Sequence, residues 1–362
     1  MSPLSPGIRK RLIAYGSLLI LMALLAGVGY WVMFSDPGGY RDTVLESTTS
    51  TPIEELSSNI KTSVHHLAST IGERNLGEEP ENLEAARRWI RSRLEEWKYD
   101  VEEETYEETA NSFSNDPQTG RLRRDKQTHE VAHLVAERPG TTHPESILLF
   151  GAHYDSVEGS PGANDNATGV AVLLELARLF RDQSFDRTVR FVFFVNEEPP
   201  YFHTPRMGSR IYAKRCHERG DSIHAMFSLE TIGYYSEEPG SQKYPPIFNW
   251  IYPDRGNFLG VVGNLGSRWL VRKTTRLLRE AIRFPIQSCS TWGKITGIFW
   301  SDHASFWPYG WPAVMLSDSA FFRDPHYHQA GDTPERLNYP ALGRITFGLT
   351  HVLKELATHT SR

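Results

Sequence analysis

Apolar and polar positions alternate in blocks along most of the chain, and these blocks predict an α/β protein. Apolar positions over 83–97 follow the three- and four-residue spacing of an amphipathic helix, with Glu and Arg on the opposite face. Short apolar runs predict buried strands at 131–135, 147–150, 189–195 and 226–229. A further helical pattern covers 340–357. We therefore expect a mixed, mostly parallel central sheet flanked by helices.

The N-terminal segment has a different pattern, because 23 residues from Leu12 to Phe34 contain no charge. At about 1.5 Å per residue they form a helix of roughly 35 Å, which is long enough to cross a bilayer. Arg9, Lys10 and Arg11 precede this run, so the positive-inside rule predicts a cytoplasmic amino terminus and an extracytoplasmic domain, periplasmic or extracellular.

A cleaved signal peptide is the alternative for this run, but the apolar stretch exceeds the usual length of about 7–15 residues. The small-residue site from Ala23 to Ala26 also falls inside the stretch and not after it. An uncleaved anchor is favoured. The predicted division is a cytoplasmic terminus at 1–11, a membrane span at 12–34, a polar linker at 35–55 and a folded domain at 56–362.

Composition narrows the class of protein. The chain has 362 residues, 39% of them hydrophobic, which is enough for the core of one large domain. A net charge of −5 gives no reason to expect a nucleic-acid partner, and the cluster Arg121–Lys126 is read as an exposed loop or hairpin. Cys216 and Cys289 allow at most one disulfide.

Residues that bind metals or transfer protons recur where these predicted strands end. His153 follows the strand at 147–150, and Glu197 and Glu198 follow the strand at 189–195. Glu230 ends the strand at 226–229 in the same way. Because open α/β sheets bind ligands at the carboxyl ends of their strands, we expect these side chains to converge.

Two further candidates lie in polar loops. Asp165 lies in a loop of small residues before a helical pattern, where an isolated Asp is usually only a helix cap. His328 lies in a polar turn before another helical pattern. Asp155, two residues after His153, is placed to hold the second ring nitrogen of that histidine and so fix its tautomer. The accompanying candidates favour metal binding for Asp165.

Together these segments resemble the two-zinc aminopeptidases, a family that includes bacterial leucyl aminopeptidase, aminopeptidase Y and the glutamate carboxypeptidase ectodomain. The resemblance covers about residues 60 to 357. It rests on the motifs GAHYDS, GANDNATG, NEE, SLETIGYY, SDHASF and YHQAGDTPE, which begin at residues 151, 162, 196, 228, 301 and 327. It implies a zinc exopeptidase-like fold and a peptidase catalytic domain over 56–362.

The resemblance also implies a role for each candidate. His153 and Glu230 would bind one zinc ion, Glu198 and His328 a second, and Asp165 would bridge them. Further roles follow for three more residues: Glu197 as general base, Asp155 as the partner of a metal-ligating histidine, and Tyr327 as a hydrogen-bond donor to the oxyanion. The family also implies a cis peptide bond between Asp165 and Asn166.

Charge counting agrees with two metal ions. Two Zn²⁺ ions carry four positive charges, which three carboxylate ligands and one bridging hydroxide balance. The expected reaction is hydrolysis of N-terminal peptide bonds of peptide substrates, with Glu197 taking a proton from the bridging water and passing it to the leaving amine. The chain has no G-x-S-x-G motif, so nothing indicates a serine nucleophile.

Several positions depart from the family pattern or leave its roles open. Position 230 is Glu where many relatives carry Asp, and the loop 199–209 is longer and richer in proline and aromatic residues. His203 in that loop is read as solvated and not as a ligand. Asp302 and His303 are candidates for the wall of the substrate pocket, with a purely structural role as the alternative.

Alternative functions remain open at this point. A carboxypeptidase or an amidohydrolase can use the same zinc pair, and a receptor-like domain of the same fold has no activity. A glutaminyl cyclase shares the fold but uses a single zinc, which the bridging loop at 162–169 disfavours. The motifs favour an aminopeptidase.

Overall fold

The computed structural model describes residues 5–34, 52–115, 122–246 and 248–358. The helices are α1 (Pro6–Phe34), α2 (Ile53–His65), α3 (Pro80–Glu96), α4 (Thr168–Phe180), α5 (Gly208–Arg219), α6 (Arg268–Ala281) and α7 (Tyr339–Thr358). The strands are β1 (Val101–Asn115), β2 (Leu122–Arg138), β3 (His143–His153), β4 (Arg187–Phe194), β5 (Ser222–Glu230), β6 (Leu259–Asn264), β7 (Ile286–Thr291) and β8 (Ala313–Ser317).

One eight-stranded sheet organises the domain in the order β1-β2-β4-β3-β5-β8-β6-β7. The central pairs β3–β4, β3–β5 and β5–β8 are parallel, whereas β1–β2, β2–β4 and β6–β8 are antiparallel. Every residue of β4 is buried, as expected for a strand covered by helices on both faces. The predicted mixed sheet flanked by helices is confirmed.

The helices cover the sheet with the apolar stripes that the sequence predicts. In α3 the buried residues are Leu83, Ala86, Ile90 and Leu94, which lie on one face. Helix α7 spans Tyr339–Thr358, one residue longer at each end than the predicted segment. Helix α4 is buried along most of its length, and it begins directly after the loop that carries Asp165.

A long hairpin is the part of the fold that the apolar pattern does not reveal. Strands β1 and β2 pair from Val101–Ala136 to Asn115–Leu122, so most of the 121–126 segment belongs to a strand of this hairpin. Only the inner part of β2, residues 134–138, also pairs with β4. Because β2 runs antiparallel to β4, the outer part of the hairpin extends past the carboxyl edge of β4.

The N-terminal apolar helix α1 is exposed along the residues whose burial is described, and Pro6–Gly29 has the length and composition of a membrane span. An N-terminal signal sequence has the same properties. Residues 35–51, which contain most of the predicted linker, lie outside the described residues.

Both cysteines, Cys216 and Cys289, are buried and free. The amide nitrogen of Asn166 donates to the carbonyl oxygen of Leu229 at 2.7 Å, and the side chain is fully buried. The glycosylation sequon that begins at Asn166 is therefore inaccessible in the folded domain.

Candidate metal centre

The carboxyl edge of the sheet brings five candidate ligands together. His153 is the last residue of β3, Glu230 is the last residue of β5, and Glu198 follows β4 by four residues. Asp165 enters from the loop before α4, and His328 enters from the turn before α7. Four of the five are buried, and the side chain of His328 is 29% exposed.

The five side chains form two groups that share Asp165. In the first group, Nε2 of His153 lies 3.2 Å from Oδ1 of Asp165 and 3.3 Å from Oε2 of Glu230. In the second, Nε2 of His328 lies 3.2 Å from Oδ2 of Asp165 and 3.2 Å from Oε2 of Glu198. One oxygen of Asp165 therefore faces each histidine, which is the arrangement expected of a bridging carboxylate.

These atoms fit a tetrahedral metal better than they fit hydrogen bonds. Ligands about 2.0–2.1 Å from a zinc ion are separated from each other by about 3.3 Å in a tetrahedron. Nε2 of His153, Nε2 of His328 and both carboxylate oxygens of Asp165 are buried without a hydrogen-bond partner among the described residues. Buried polar atoms of this kind require an explanation, and a bound cation supplies one.

Asp155 holds two of the candidate ligands at once. Its carboxylate Oδ1 lies 3.5 Å from Nδ1 of His153, and its Oδ2 accepts the backbone N–H of Glu198 at 3.0 Å. The backbone carbonyl of Asp155 is closer to Nδ1 of His153, at 3.2 Å. Both contacts favour the tautomer that leaves Nε2 free to bind a metal. Orientation of His153 thus involves the main chain as well as the predicted carboxylate.

The loop around Asp165 depends on two acidic residues that sequence reasoning did not single out. The carboxylate of Asp332 accepts the backbone N–H groups of Asn164 and Asp165 at 2.7 and 3.1 Å. The side-chain amide of Asn164 donates to Asp318 at 2.9 Å. The Asp165–Asn166 peptide bond is cis, as the family resemblance implies. Asp332 lies within the YHQAGDTPE motif, four residues after His328, and this spacing was the available signal.

Glu230 is held by a short chain of serines. Ser301 donates to Oε2 of Glu230 at 2.8 Å, and Ser228 lies 2.8 Å from Ser301. All three side chains are buried. Ser301 begins the SDHASF motif, so this segment contacts a candidate ligand through a hydrogen bond.

Burial and the convergence of carboxylates perturb the pKa values of the centre. Burial raises the pKa of Glu198 to about 8, and the nearby Asp165 adds to the shift. Burial also raises the pKa of Glu230. Burial opposes ionisation of His328, but the carboxylates of Asp165 and Glu198 raise its pKa to about 10. The metal-free centre therefore retains protons, which a divalent cation displaces when it binds.

Glu197 lies beside these groups without joining either one. Its side chain is almost fully buried, and burial, followed by Glu230, Glu198 and Asp302, raises its pKa well above that of an ordinary glutamic acid. Tyr327 is half-buried, and its ring stacks on the ring of His328 with 3.8 Å between centroids. Both residues therefore border the groups that could bind metal.

The remaining candidates from the sequence are not among the five candidate ligands. His303 is fully buried, donates from Nε2 to the carbonyl oxygen of Ile298 at 2.8 Å and packs edge-on against Trp307. Asp302 is also fully buried, and burial raises its pKa to about 7. His203 packs against Phe299, and it is absent from the candidate ligand groups of the described residues.

A cavity of about 120 Å³ opens beside the first group. Glu230 and Tyr327 are among its lining residues, and the lining is mainly apolar. The aromatic wall residues are Tyr244, Phe248, Tyr252, Phe258, Trp300, Phe321 and Phe322. Asp302 and His303 are not among the lining residues. Since an apolar cavity of about 150 Å³ holds one benzene molecule, this cavity suits a side chain of similar size.

Comparison with protein families identifies a match to the model of peptidase family M28 over residues 133–353. The uncharacterized protein YfbL of Escherichia coli is 42% identical over 216 residues, which are 57% of this chain and 66% of YfbL. Aminopeptidase YwaD of Bacillus subtilis is 30% identical over 206 residues, 54% of this chain and 38% of YwaD. The matched segment thus covers only about two fifths to two thirds of these relatives.

Solved structures share the fold. A zinc aminopeptidase from Bacillus subtilis, BSAP, has a TM-score of 0.63 at 17% identity, covering 84% of this chain and 96% of that one. A glutaminyl cyclase from Porphyromonas gingivalis has a TM-score of 0.58 at 18% identity, covering 83% and 98%. At these identities the likeness concerns the fold alone, which both kinds of enzyme share.

Proposed function

The chain belongs to peptidase family M28, and from this premise we propose that it is a zinc-dependent aminopeptidase. The observation that carries the proposal is the pair of histidine–carboxylate groups that share Asp165, with the separate carboxylate of Glu197 beside them. This is more specific than the fold, because it gives both a site for cations and a group that can transfer protons.

The proposed site holds two zinc ions. His153 and Glu230 would hold one, His328 and Glu198 would hold the other, and Asp165, which lies close to both histidines, would be shared between them. Zinc at such a site polarises a peptide carbonyl and lowers the pKa of water. Asp155 and Ser301 orient His153 and Glu230 for this role. This is the two-zinc arrangement of the leucyl aminopeptidase and carboxypeptidase types.

Glu197 is the proposed general base. Its raised pKa suits a carboxylate that accepts a proton from the attacking water and then donates it to the leaving amine. Tyr327 is the proposed hydrogen-bond donor to the oxygen of the tetrahedral intermediate, since its side chain lies against His328 and lines the cavity.

The cavity suggests which peptides the enzyme prefers. Its mainly apolar lining and its volume of about 120 Å³ suit the side chain of one large apolar residue next to the metal centre. We therefore place the N-terminal residue of the substrate there. A related amidohydrolase or carboxypeptidase, using the same ions on another amide, is the alternative that substrate profiling separates from this one.

The proposed location is a membrane surface outside the cytoplasm. Residues 1–11 would lie in the cytoplasm, 12–34 would span the bilayer, 35–55 would form a linker, and 56–362 would form the catalytic domain. The uncharged run and the preceding basic residues support this orientation. Protease accessibility of the domain in cells whose cytoplasmic membrane is intact but whose outer envelope has been permeabilised tests it, because a cytoplasmic domain would be protected.

The test of the proposed function combines metal content with a single substitution. Full-length protein in detergent is expected to contain two zinc ions per chain and to hydrolyse aminoacyl amides with an apolar first residue. Glu197→Gln should lower kcat by about 10²- to 10⁴-fold while zinc content stays unchanged. Glu238→Gln, at an exposed position, is the matched control and should retain full activity.

Contrary results point to specific alternatives. A single zinc together with cyclisation of N-terminal glutaminyl peptides would replace the proposal with a cyclase, whose fold is shared. Absence of zinc and of hydrolysis would favour a receptor-like domain. Full activity in Glu197→Gln would remove that residue from the role of general base.

A further inference from the structure

Arg74 is one of the largest fully buried side chains among the described residues, with only 1% of its surface exposed. Its guanidinium group donates hydrogen bonds to backbone carbonyl oxygens from all three of its nitrogen atoms. The accepting carbonyls, at distances from 2.7 to 3.0 Å, belong to Leu67, Gly72, Tyr154, Pro161 and Gly162. A guanidinium that bonds only to carbonyls at this depth indicates that the surrounding backbone is arranged around it.

Three of these carbonyls lie in the loop between two candidate ligands. Tyr154 directly follows His153, and Gly162 precedes Asp165 by three residues. The backbone reinforces the contact, because the N–H of Arg74 donates to Oγ of Ser156 and the N–H of Ser156 donates to the carbonyl of Arg74. The 154–162 loop is therefore held by hydrogen bonds to the side chain and the backbone of Arg74.

Gly162 shows how closely this loop fits around the guanidinium. Its φ of +60° lies in the left-handed region, and a Cβ at this position would be 2.9 Å from Nη2 of Arg74 and 2.5 Å from the carbonyl oxygen of Asp165. Only glycine fits between the arginine and the Asp165 backbone. A shift of the guanidinium would therefore be transmitted to Asp165.

Arg74 also places a positive charge beside an acidic centre. The acidic groups that interact with it electrostatically are Asp155, Asp332, Asp165 and Glu198. Asp165 and Glu198 are candidate ligands, and Asp155 and Asp332 hold candidate ligands in place. The charge offsets part of the repulsion among carboxylates that converge on one site.

We propose that Arg74 is a positioning residue of the metal centre, which fixes His153 and Asp165 relative to each other by holding the 154–162 loop, and so sets the affinity for zinc. The proposal rests on the proposed function only in taking zinc as the bound ion. A purely structural arginine would contribute to the stability of the fold and leave zinc affinity unchanged.

The test measures zinc affinity and fold stability separately, using full-length protein in detergent. Arg74→Lys keeps the positive charge, but its single side-chain nitrogen cannot replace the hydrogen bonds that three guanidinium nitrogens donate. Arg74→Met removes both the hydrogen bonds and the charge. Competition with a chelator should show zinc binding at least about 10-fold weaker in both variants, the range known for residues that hold metal ligands.

Matched controls are Arg187→Lys and Arg187→Met. Arg187 is also buried and donates to a backbone carbonyl, that of Leu356, but it lies at the start of β4, away from the carboxyl edge. These variants should lower the unfolding midpoint of the zinc-free protein while leaving zinc affinity at the wild-type value. Raising the zinc concentration should restore much of the activity of Arg74→Lys, whereas the Arg187 variants should stay less stable than wild type by the same amount at every zinc concentration.

Wild-type zinc affinity in a folded Arg74→Lys would overturn the inference, even if the variant were less stable. If neither Arg74 variant folds, Ser156→Ala decides, because it removes the hydroxyl that accepts the Arg74 N–H and that also donates to the carbonyl oxygen of Ser160 in the same loop. Zinc binding at least threefold weaker in Ser156→Ala supports the proposal, and unchanged binding contradicts it. Failure of the wild type to bind zinc would instead contradict the proposed function.

Discussion

His133 is expected to make the domain sensitive to acid. It lies on β2 with no exposed surface, and its ring is surrounded by those of Tyr106, Phe194 and Tyr212. Burial, followed by the charge of Arg215, lowers its pKa from 6.5 to about 3. The folded protein therefore holds His133 neutral at a pH where the unfolded chain protonates it.

The sign and size of the effect follow from this difference. A lowered histidine pKa contributes stability that is fully present above pH 6.5 and is lost as the pH falls towards 3. At pH 5 the unfolded histidine is about 97% protonated and the folded one about 1%, for pKa values of 6.5 and about 3. The free energy of unfolding should then be about 2 kcal/mol lower at pH 5 than at pH 8 because of this residue alone.

The assay compares urea unfolding of zinc-free protein at pH 5 and pH 8 for wild type and His133→Gln. Glutamine removes the titrating group, and all other groups contribute equally to both proteins. The change in the free energy of unfolding between pH 8 and pH 5 should therefore differ between wild type and variant by the contribution of His133. His129→Gln, a more exposed histidine on the same strand, should behave as wild type. Equal loss of stability in wild type and His133→Gln on acidification would refute the reasoning.

Two further substitutions test the packing and the cavity. Gly208→Ala would place a Cβ 1.7 Å from the backbone carbonyl oxygen of Val195, so thermal unfolding should show a loss of stability of at least about 3 kcal/mol. Gly77→Ala is the control, because its Cβ would lie 3.5 Å from its nearest neighbour, and its unfolding temperature should be close to that of wild type. Trp300→Ala enlarges the cavity. The value of kcat/KM for phenylalanyl amides, divided by the value for alanyl amides, should fall by about 10-fold or more. An unchanged ratio would place the substrate side chain elsewhere.

The sequence was sufficient for the parts of the fold that alternate apolar and polar blocks. Strands β3, β4 and β5 are buried on both faces, so they appear as continuous apolar runs, and their ends predict where His153, Glu198 and Glu230 meet. Strand β1 was not predicted, because its five glutamates within eight residues have low β-propensity. It is the outermost strand of the sheet, where charged side chains prevent pairing with another chain.

Arg74 could not be assigned a role from local pattern for a different reason. Arg74 contacts carbonyls 80 to 88 residues away, and any residue has a carbonyl, so the partners leave no mark on the sequence. Ser301 was visible only as part of a motif, and its bond to Glu230 depends on how two distant segments pack. Hydrogen bonds that position ligands are thus less predictable than the ligands.

His328 shows why the end of a strand is not the only way to place a ligand. It lies in a turn with a φ of 59°, a conformation that costs a residue with a side chain about 1–3 kcal/mol unless its surroundings impose it. The same turn supplies Asp332, whose carboxylate accepts the N–H of Asp165, 167 residues earlier in the chain. Asp332 therefore connects the turn that carries His328 to the loop that carries Asp165, and we expect a change at Asp332 to disturb both. The strand ends thus position His153, Glu198 and Glu230, and the two joined loops position Asp165 and His328.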